Sequence, residues 1–360
     1  MRTKLFIPGP TEVRDEVLQE LSNPQIGHRT QEFRDLFKSL KPGLKELFHT
    51  RNDVLISTSS GSGFWEACIR SCINKKVLHA VNGAFSKKWA ELSERCGKEA
   101  GIVKYASGKE VKAADVDKAL SEDAYEAFCM VHNETSTGVM SDLKAISAVM
   151  KKHPDVLWFV DAVSSLGGVK IEVDAMGIDF CLASSQKAIA LPAGLAVASV
   201  SERCYKKAES VSGRGYYFDI IELKKSYDKD ETPYTPSIPH LYALQKQLER
   251  IRAEGLENRY KRHNDMAAYA REWAHKNGFV LFAEHASDTV SCFWNTKKLD
   301  WSSIKKDMAK KGYSIDSGYK QLNEKLEQEG KGNTFRIAHM GDLTVDEVKE
   351  LCAELEGYFR

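Results

Sequence analysis

The 360-residue sequence lacks any run of eighteen apolar residues, so it offers no helix able to cross a bilayer. The apolar stretch inside Met1-Arg-Thr-Lys-Leu-Phe-Ile-Pro-Gly-Pro10 is too short for a secretory leader, and a cytoplasmic location is expected. Neither sign of charge is in excess: 52 Lys and Arg stand against 51 Asp and Glu, a formal net charge of +1. Nothing in that balance draws the chain to nucleic acid or to an anionic membrane, and neither is expected as a partner. There is no C-x-x-C pair. The eight scattered cysteines read as reduced, buried thiols and not as a disulfide framework. Cys68 and Cys72 share a helical face, but two thiols fall short of the four ligands of a structural zinc site, and no metal is expected. The glycine patterns of P-loop and dinucleotide-binding turns are also missing, as are internal repeats and low-complexity segments.

What is present is the composition of an enzyme with a large core, 42% hydrophobic and 29% charged, in a length that suits two domains. A rigid Ile7-Pro-Gly-Pro-Thr11 arm precedes helices near residues 15–21 and from Thr30 to Phe48, the latter open to a kink at Pro42. Strand-like runs then alternate with helical ones: a strand from Val54, then 77–81, 102–105, 127–131, 156–160, 180–183 and 195–200. That alternation predicts a mainly parallel sheet with helices on both faces. Residues 227–239, polar and proline-rich, read as an ordered loop. A long helical stretch at 240–277, broken near Gly255, leads into an α+β module with strands at 279–283, 289–294 and 334–338. The expected division is an arm at 1–15, a large α/β domain at 16–255 and a small α+β domain at 256–360.

The unusual residues cluster at strand ends, where open α/β sheets hold their ligands. Asp161 directly follows the apolar run Val156-Leu-Trp-Phe-Val160, which puts a carboxylate at a buried sheet edge in need of a cationic partner. Lys187 ends Asp179-Phe-Cys-Leu-Ala-Ser-Ser-Gln-Lys187, and a lysine desolvated there loses its proton readily, as Schiff-base chemistry requires. Ser60-Gly-Ser-Gly-Phe64 opens a helix whose free N–H groups suit a phosphate. A phosphate cradle, an aspartate and a lysine are the parts that pyridoxal phosphate needs.

The chain resembles the class V, fold-type I, pyridoxal-phosphate aminotransferases of the alanine–glyoxylate and serine–glyoxylate group. The matching stretches are Pro8-Gly-Pro-Thr11, Ser60-Gly-Ser-Gly63, Asn82-Gly-Ala-Phe85, Glu134-Thr-Ser-Thr-Gly138, Asp161-Ala-Val-Ser-Ser-Leu-Gly-Gly168, Ser184-Ser-Gln-Lys187, Tyr234-Thr-Pro-Ser-Ile-Pro239 and Phe335-Arg-Ile337. They keep the family's order and span almost the whole chain. The resemblance implies a mainly parallel, seven-stranded-type sheet flanked by helices with a smaller C-terminal α+β domain.

It also implies roles. Lys187 holds pyridoxal 5'-phosphate as a Schiff base and moves the substrate Cα proton, while Asp161 pairs with the pyridinium nitrogen. Ser62, Gly63 and Phe64, with Gln186, surround the phosphate. Phe85 stacks on the ring, in preference to Trp89 four residues on; Val163 packs beneath it, and Thr135 contacts its 3'-oxygen side. Arg336 binds the substrate carboxylate, and His28 and Arg29 lie near the site. Tyr234 and Ser237 reach the phosphate of the neighbouring subunit's cofactor, so an obligate homodimer with shared sites is implied. The implied reaction is a ping-pong transfer from a small L-amino acid, alanine, serine or aspartate, to a small 2-oxo acid, glyoxylate or pyruvate.

Two rivals remain. A cysteine desulfurase resembles this chain in Asp and Lys placement but stacks a histidine on the cofactor and uses a cysteine on a mobile loop. Here the stacking position is Phe85, and Cys292 and Cys352 fall in strand-like and helical contexts. A non-catalytic accessory subunit with the same fold is opposed by the joint presence of Lys187, Asp161 and Arg336.

Overall fold

The computed structural model describes residues 3–359. Seven strands form the main sheet, in the order Asp53–Ser57, Ala196–Val200, Phe180–Ser184, Leu157–Asp161, Ala127–Val131, Lys76–Val81 and Glu99–Lys104. The pairings from Phe180–Ser184 across to Glu99–Lys104 are parallel, while Ala196–Val200 runs antiparallel to both neighbours. Every residue of Ala127–Val131, Leu157–Asp161, Phe180–Ser184 and Ala196–Val200 is buried, because helices cover both faces. That is why these strands are continuous apolar runs in the sequence. The edge strand Glu99–Lys104 instead leaves Ile102 47% exposed.

The register decides where chemistry can sit. Ala196 lies opposite both Ser57 and Ser184, and Asp161 lies opposite Val131 and Leu182. The carboxyl ends of the parallel strands and of Asp53–Ser57 therefore share one edge with the amino end of Ala196–Val200, and the loops after Ser57, Val81, Val131, Asp161 and Ser184 converge there.

Around the sheet, Gln31–Leu47 starts on the Thr30 hydroxyl, which accepts from the Phe33 N–H, and runs unbroken through Pro42. It buries Phe33, Leu36, Phe37, Leu40 and Leu44 as a stripe. The chain turns at Gly255, φ +80°, between helices Ile238–Glu254 and Leu256–Lys276. Beyond it the antiparallel strands Val280–Leu281, Val290–Trp294 and Thr334–Ala338 pack with Leu256–Lys276 and Val345–Glu356 around a second apolar cluster. Phe335 and Trp301 stack at 3.8 Å in it. The N-terminal arm joins this layer: Lys4–Leu5 pairs with Tyr313–Ser314, and Phe6 is fully buried in the same cluster. Among the described residues no helix is long and apolar enough to cross a membrane.

Some elements differ from expectation. Lys320–Gln328, to which the sequence reading assigns no element, is a helix with Leu322 and Leu326 buried four apart and its charges outward. Helices Glu202–Glu209 and Ile220–Tyr227 also went unforeseen. The expected strand at 279–283 shrinks to Val280–Leu281.

Candidate active site

At the shared carboxyl edge a cavity of about 290 Å³ is lined by Ser62, Phe85, Thr135, Asp161, Val163, Gln186 and Lys187. Asp161 ends its central strand and is 3% exposed. Its carboxylate accepts from the Val163 N–H at 2.7 Å and from Trp65 Nε1 at 2.8 Å. Burial nevertheless raises its pKa to about 7, because those two donors only partly offset the loss of water and the buried Glu134 adds to the rise.

Lys187 stands across the cavity on the loop that follows Phe180–Ser184. Burial lowers its pKa to about 8; the positive charge of Arg336 adds to that, and Asp161 and Asp316 oppose it. The arm lies against this lysine. Its Nζ donates to the Pro8 carbonyl, the Thr11 hydroxyl donates to the Lys187 carbonyl at 2.9 Å, and the Thr11 N–H donates to the Gln186 carbonyl at 3.1 Å. Gly9 takes φ +115°, a backbone that favours glycine, and a Cβ there would press on the end of the Lys187 side chain, 2.7 Å from Nζ.

Phe85 forms part of the cavity wall at the start of helix Ala84–Arg95, whereas Trp89 is fully buried and stacks on Trp65 at 5.7 Å. The N-terminus of this helix is capped by a distant side chain. Buried Glu134 accepts from the Phe85 and Ser86 N–H groups and from the Ser86 and Ser136 hydroxyls. A carboxylate on four such donors fixes the wall that carries Phe85.

Val163 packs over the opening of helix Gly61–Cys72, where a Cβ on Gly61 would meet it at 2.7 Å. Thr135 shares a 2.5 Å hydrogen bond with the Ser164 hydroxyl. Arg336, 7% exposed, does not line the cavity itself but reaches its wall by donating from NH1 to the Thr135 carbonyl at 2.8 Å. Its Nε and NH2 donate to the two oxygens of Asp316, each at 2.9 Å.

Other expected residues lie elsewhere. Phe64 turns into the core against Phe180 at 6.0 Å, and Gly63 is backed by Ser59 and Phe218, so neither lines the cavity. Tyr234 lines a separate pocket with Thr58 and Tyr217. Ser237 donates its N–H to the Thr58 hydroxyl and pairs its own hydroxyl with His240, whose Nε2 meets the Ala193 carbonyl at the cavity rim. Arg29 donates to the Thr232 and Pro233 carbonyls, steadying the loop that bears Tyr234.

Trp65, Ser164, Asp316 and Tyr319 escaped the sequence reading. Each meets its partner only through the fold: Trp65 is 96 residues from Asp161, and Asp316 is 20 from Arg336. Only Tyr319 carried a signal, as an aromatic in the glycine turn Ser317-Gly-Tyr-Lys320 ahead of the arginine strand.

The aminotransferase class-V family model matches residues 6–351. A serine–glyoxylate aminotransferase of Methylorubrum extorquens is 34% identical over 95% of this chain and 87% of its own length. Among solved structures, an aspartate aminotransferase of subgroup IV from Thermus thermophilus superposes with a TM-score of 0.90 at 28% identity, covering 99% of each chain. An alanine–glyoxylate aminotransferase from Nostoc sp. gives 0.92 at 25% identity, covering 100% of this chain and 96% of that one. The match thus runs from the arm on Lys187 into the last helix, and the chain belongs to the class-V aminotransferases as an enzyme of the transaminase type.

Proposed function

We propose that this enzyme moves an amino group from a small L-amino acid, serine, alanine or aspartate, to glyoxylate or pyruvate by a ping-pong route on pyridoxal 5'-phosphate. The observation that carries this reading is the placement of Lys187 and Asp161 in one cavity, each with its proton affinity shifted toward neutrality. Serine, aspartate and alanine are the donors named for the related proteins.

The cavity fits that cofactor. Three of its lining residues present buried polar atoms without a partner among the described residues: Gln186 Oε1, Ser184 Oγ and Asn133 Oδ1. Folded proteins pair most buried polar groups, and these three belong to residues that line the cavity, where a polar ligand would meet them. Phe85 and Val163 supply apolar walls, and Ser62 sits at a helix start with unpaired N–H groups for a phosphate.

When bound, the cofactor supplies an electron sink for the bond broken at the substrate Cα. Lys187 Nζ would hold it covalently and, once displaced by the donor amine, would take the substrate Cα proton and deliver it to the cofactor carbon it had held, with the reverse transfer in the second half-reaction. Asp161 would pair with the ring nitrogen, and a cation there would return the buried carboxyl to its ionised form. Phe85 and Val163 would pack on the ring, Ser62 at the helix start and the Gln186 amide would hold the phosphate, and Thr135 would lie beside the 3'-oxygen. Arg336 takes the substrate carboxylate.

Tyr234 and Ser237 serve a neighbouring subunit's cofactor phosphate in a homodimer. Their position outside this chain's own cavity, beside Tyr216 at 78% and Tyr217 at 40% exposure, supports that assignment. We place the enzyme in the cytoplasm and divide it at 15 and 255, the latter supported by the turn at Gly255.

The test is spectroscopic. The purified protein absorbs as a protonated Schiff base, L-serine or L-alanine bleaches the band, and glyoxylate restores it with release of glycine. Lys187→Ala abolishes the bleaching; if that variant bleaches unimpaired, the lysine's role is wrong. A screen of donors against glyoxylate, pyruvate and 2-oxoglutarate fixes the pair.

A further inference from the structure

Resting on the reading that Arg336 binds the substrate carboxylate, we infer that Asp316 is a positioning residue for that arginine. It grips one edge of the guanidinium and leaves the other end of the fork set for a carboxylate.

A guanidinium carries five N–H groups. Asp316 takes the one on Nε and one on NH2, at 2.9 Å each, and the Thr135 carbonyl takes one on NH1 at 2.8 Å. One N–H is left on each terminal nitrogen, and two such groups are what a carboxylate accepts in parallel. The pair is poorly hydrated, with side chains 8% and 18% exposed.

Asp316 is itself fixed. Its backbone bridges to that of Arg336, and its Oδ1 also accepts from the Gly318 N–H at 2.8 Å. Gly318, at φ +90°, packs on the Thr334 carbonyl so closely that no side chain fits there. The face of the guanidinium is covered as well: its central carbon lies 5.7 Å from the Tyr319 ring, which packs on Phe85 at 6.0 Å. The loop Asp316-Ser-Gly-Tyr319 thus joins the arginine to the cavity wall. A carboxylate that competed with substrate would occupy both terminal nitrogens; Asp316 leaves an N–H free on each.

The test compares variants of the holoenzyme. Asp316→Asn keeps the shape, removes the charge and turns an amide N–H toward the guanidinium. KM for the amino donor and for glyoxylate both rise about tenfold to a hundredfold, while kcat changes by less than about threefold. The dissociation constant of glycolate, an unreactive carboxylate followed by calorimetry, rises in parallel. Asp316→Glu retains the charge at a longer reach and gives intermediate values. Unchanged or tighter glycolate binding in Asp316→Asn overturns the inference, as does a fall in kcat with KM unmoved. Should Asp316→Asn not fold, Asp316→Glu carries the test, and wild-type glycolate affinity in it overturns the inference. Arg336→Gln separates the two readings: if it binds glycolate as wild type does, the carboxylate role of Arg336 fails whatever Asp316 does.

Discussion

Arg259 and Asp342 form an ion pair at 2.9 Å, with side chains only 1% and 4% exposed. The same guanidinium donates to the carbonyls of Gly167 and Ala188, each at 2.8 Å, in the loops that follow Asp161 and precede the next strand after Lys187. Gln247 joins them, donating to Asp342 and to the Ile189 carbonyl. Arg259 also pairs with Glu254 at 2.9 Å, so Asp342→Asn weakens the buried network without leaving the guanidinium alone and lowers unfolding free energy by about 1.5–3 kcal/mol, measured in urea. Burial raises the Asp342 carboxyl, but the charge and hydrogen bond of Arg259, the Gln247 hydrogen bond and the charge of Arg250 together outweigh it, and the net shift is downward. A depressed carboxyl stabilises above its unfolded value, so in wild type this contribution is lost as pH falls below 3.8.

Asp161 has the opposite sign. With the folded carboxyl near 7 and the unfolded one near 3.8, the folded chain binds the extra proton between those values. Stability of the cofactor-free protein therefore falls as pH rises through that window, by on the order of 4 kcal/mol. Thermal melts of cofactor-free Asp161→Asn show no such slope. On the proposed pairing of Asp161 with the ring nitrogen, the same change in the holoenzyme lowers kcat about a hundredfold.

In its proposed role Lys187 reacts as the neutral amine. The rate at which cofactor-free protein takes up added pyridoxal phosphate, followed by absorbance, rises with pH and levels off above about 8. Arg336→Gln moves that midpoint upward, since the charge of Arg336 helps to lower it.

Gly9→Ala combines a left-handed backbone at φ +115° with a Cβ directed at the Lys187 amine. The strain costs about 1–2 kcal/mol, and the arm or the lysine must yield. Cofactor uptake slows, while the melting temperature drops by only a few degrees.

Legibility varied with how locally each feature is encoded. The central strands were plain because burial on both faces leaves no polar residue until the edge, where Asp161 interrupts the run. Ser62, Phe85, Thr135 and Lys187 were found at strand ends, and one cavity gathers them because the register aligns those ends. Helix Lys320–Gln328 stayed hidden because two leucines are its whole buried face. Asn323 secures it by donating to the Ser317 and Thr334 carbonyls, contacts that no local pattern announces. Gly63 and Phe64 were read as facing a ligand, and packing against Phe218 and Phe180 turns both inward. Glu134 was visible only as part of a polar turn; its task of capping a helix 48 residues earlier required the fold.

The arm that begins as Lys4–Leu5 on the smaller layer reaches the Lys187 amine at Pro8. Only two residues intervene, a tether of roughly 7 Å at full stretch. So short a link leaves little slack between the strand pairing of the arm on the C-terminal layer and the lysine side chain at the edge of the parallel sheet.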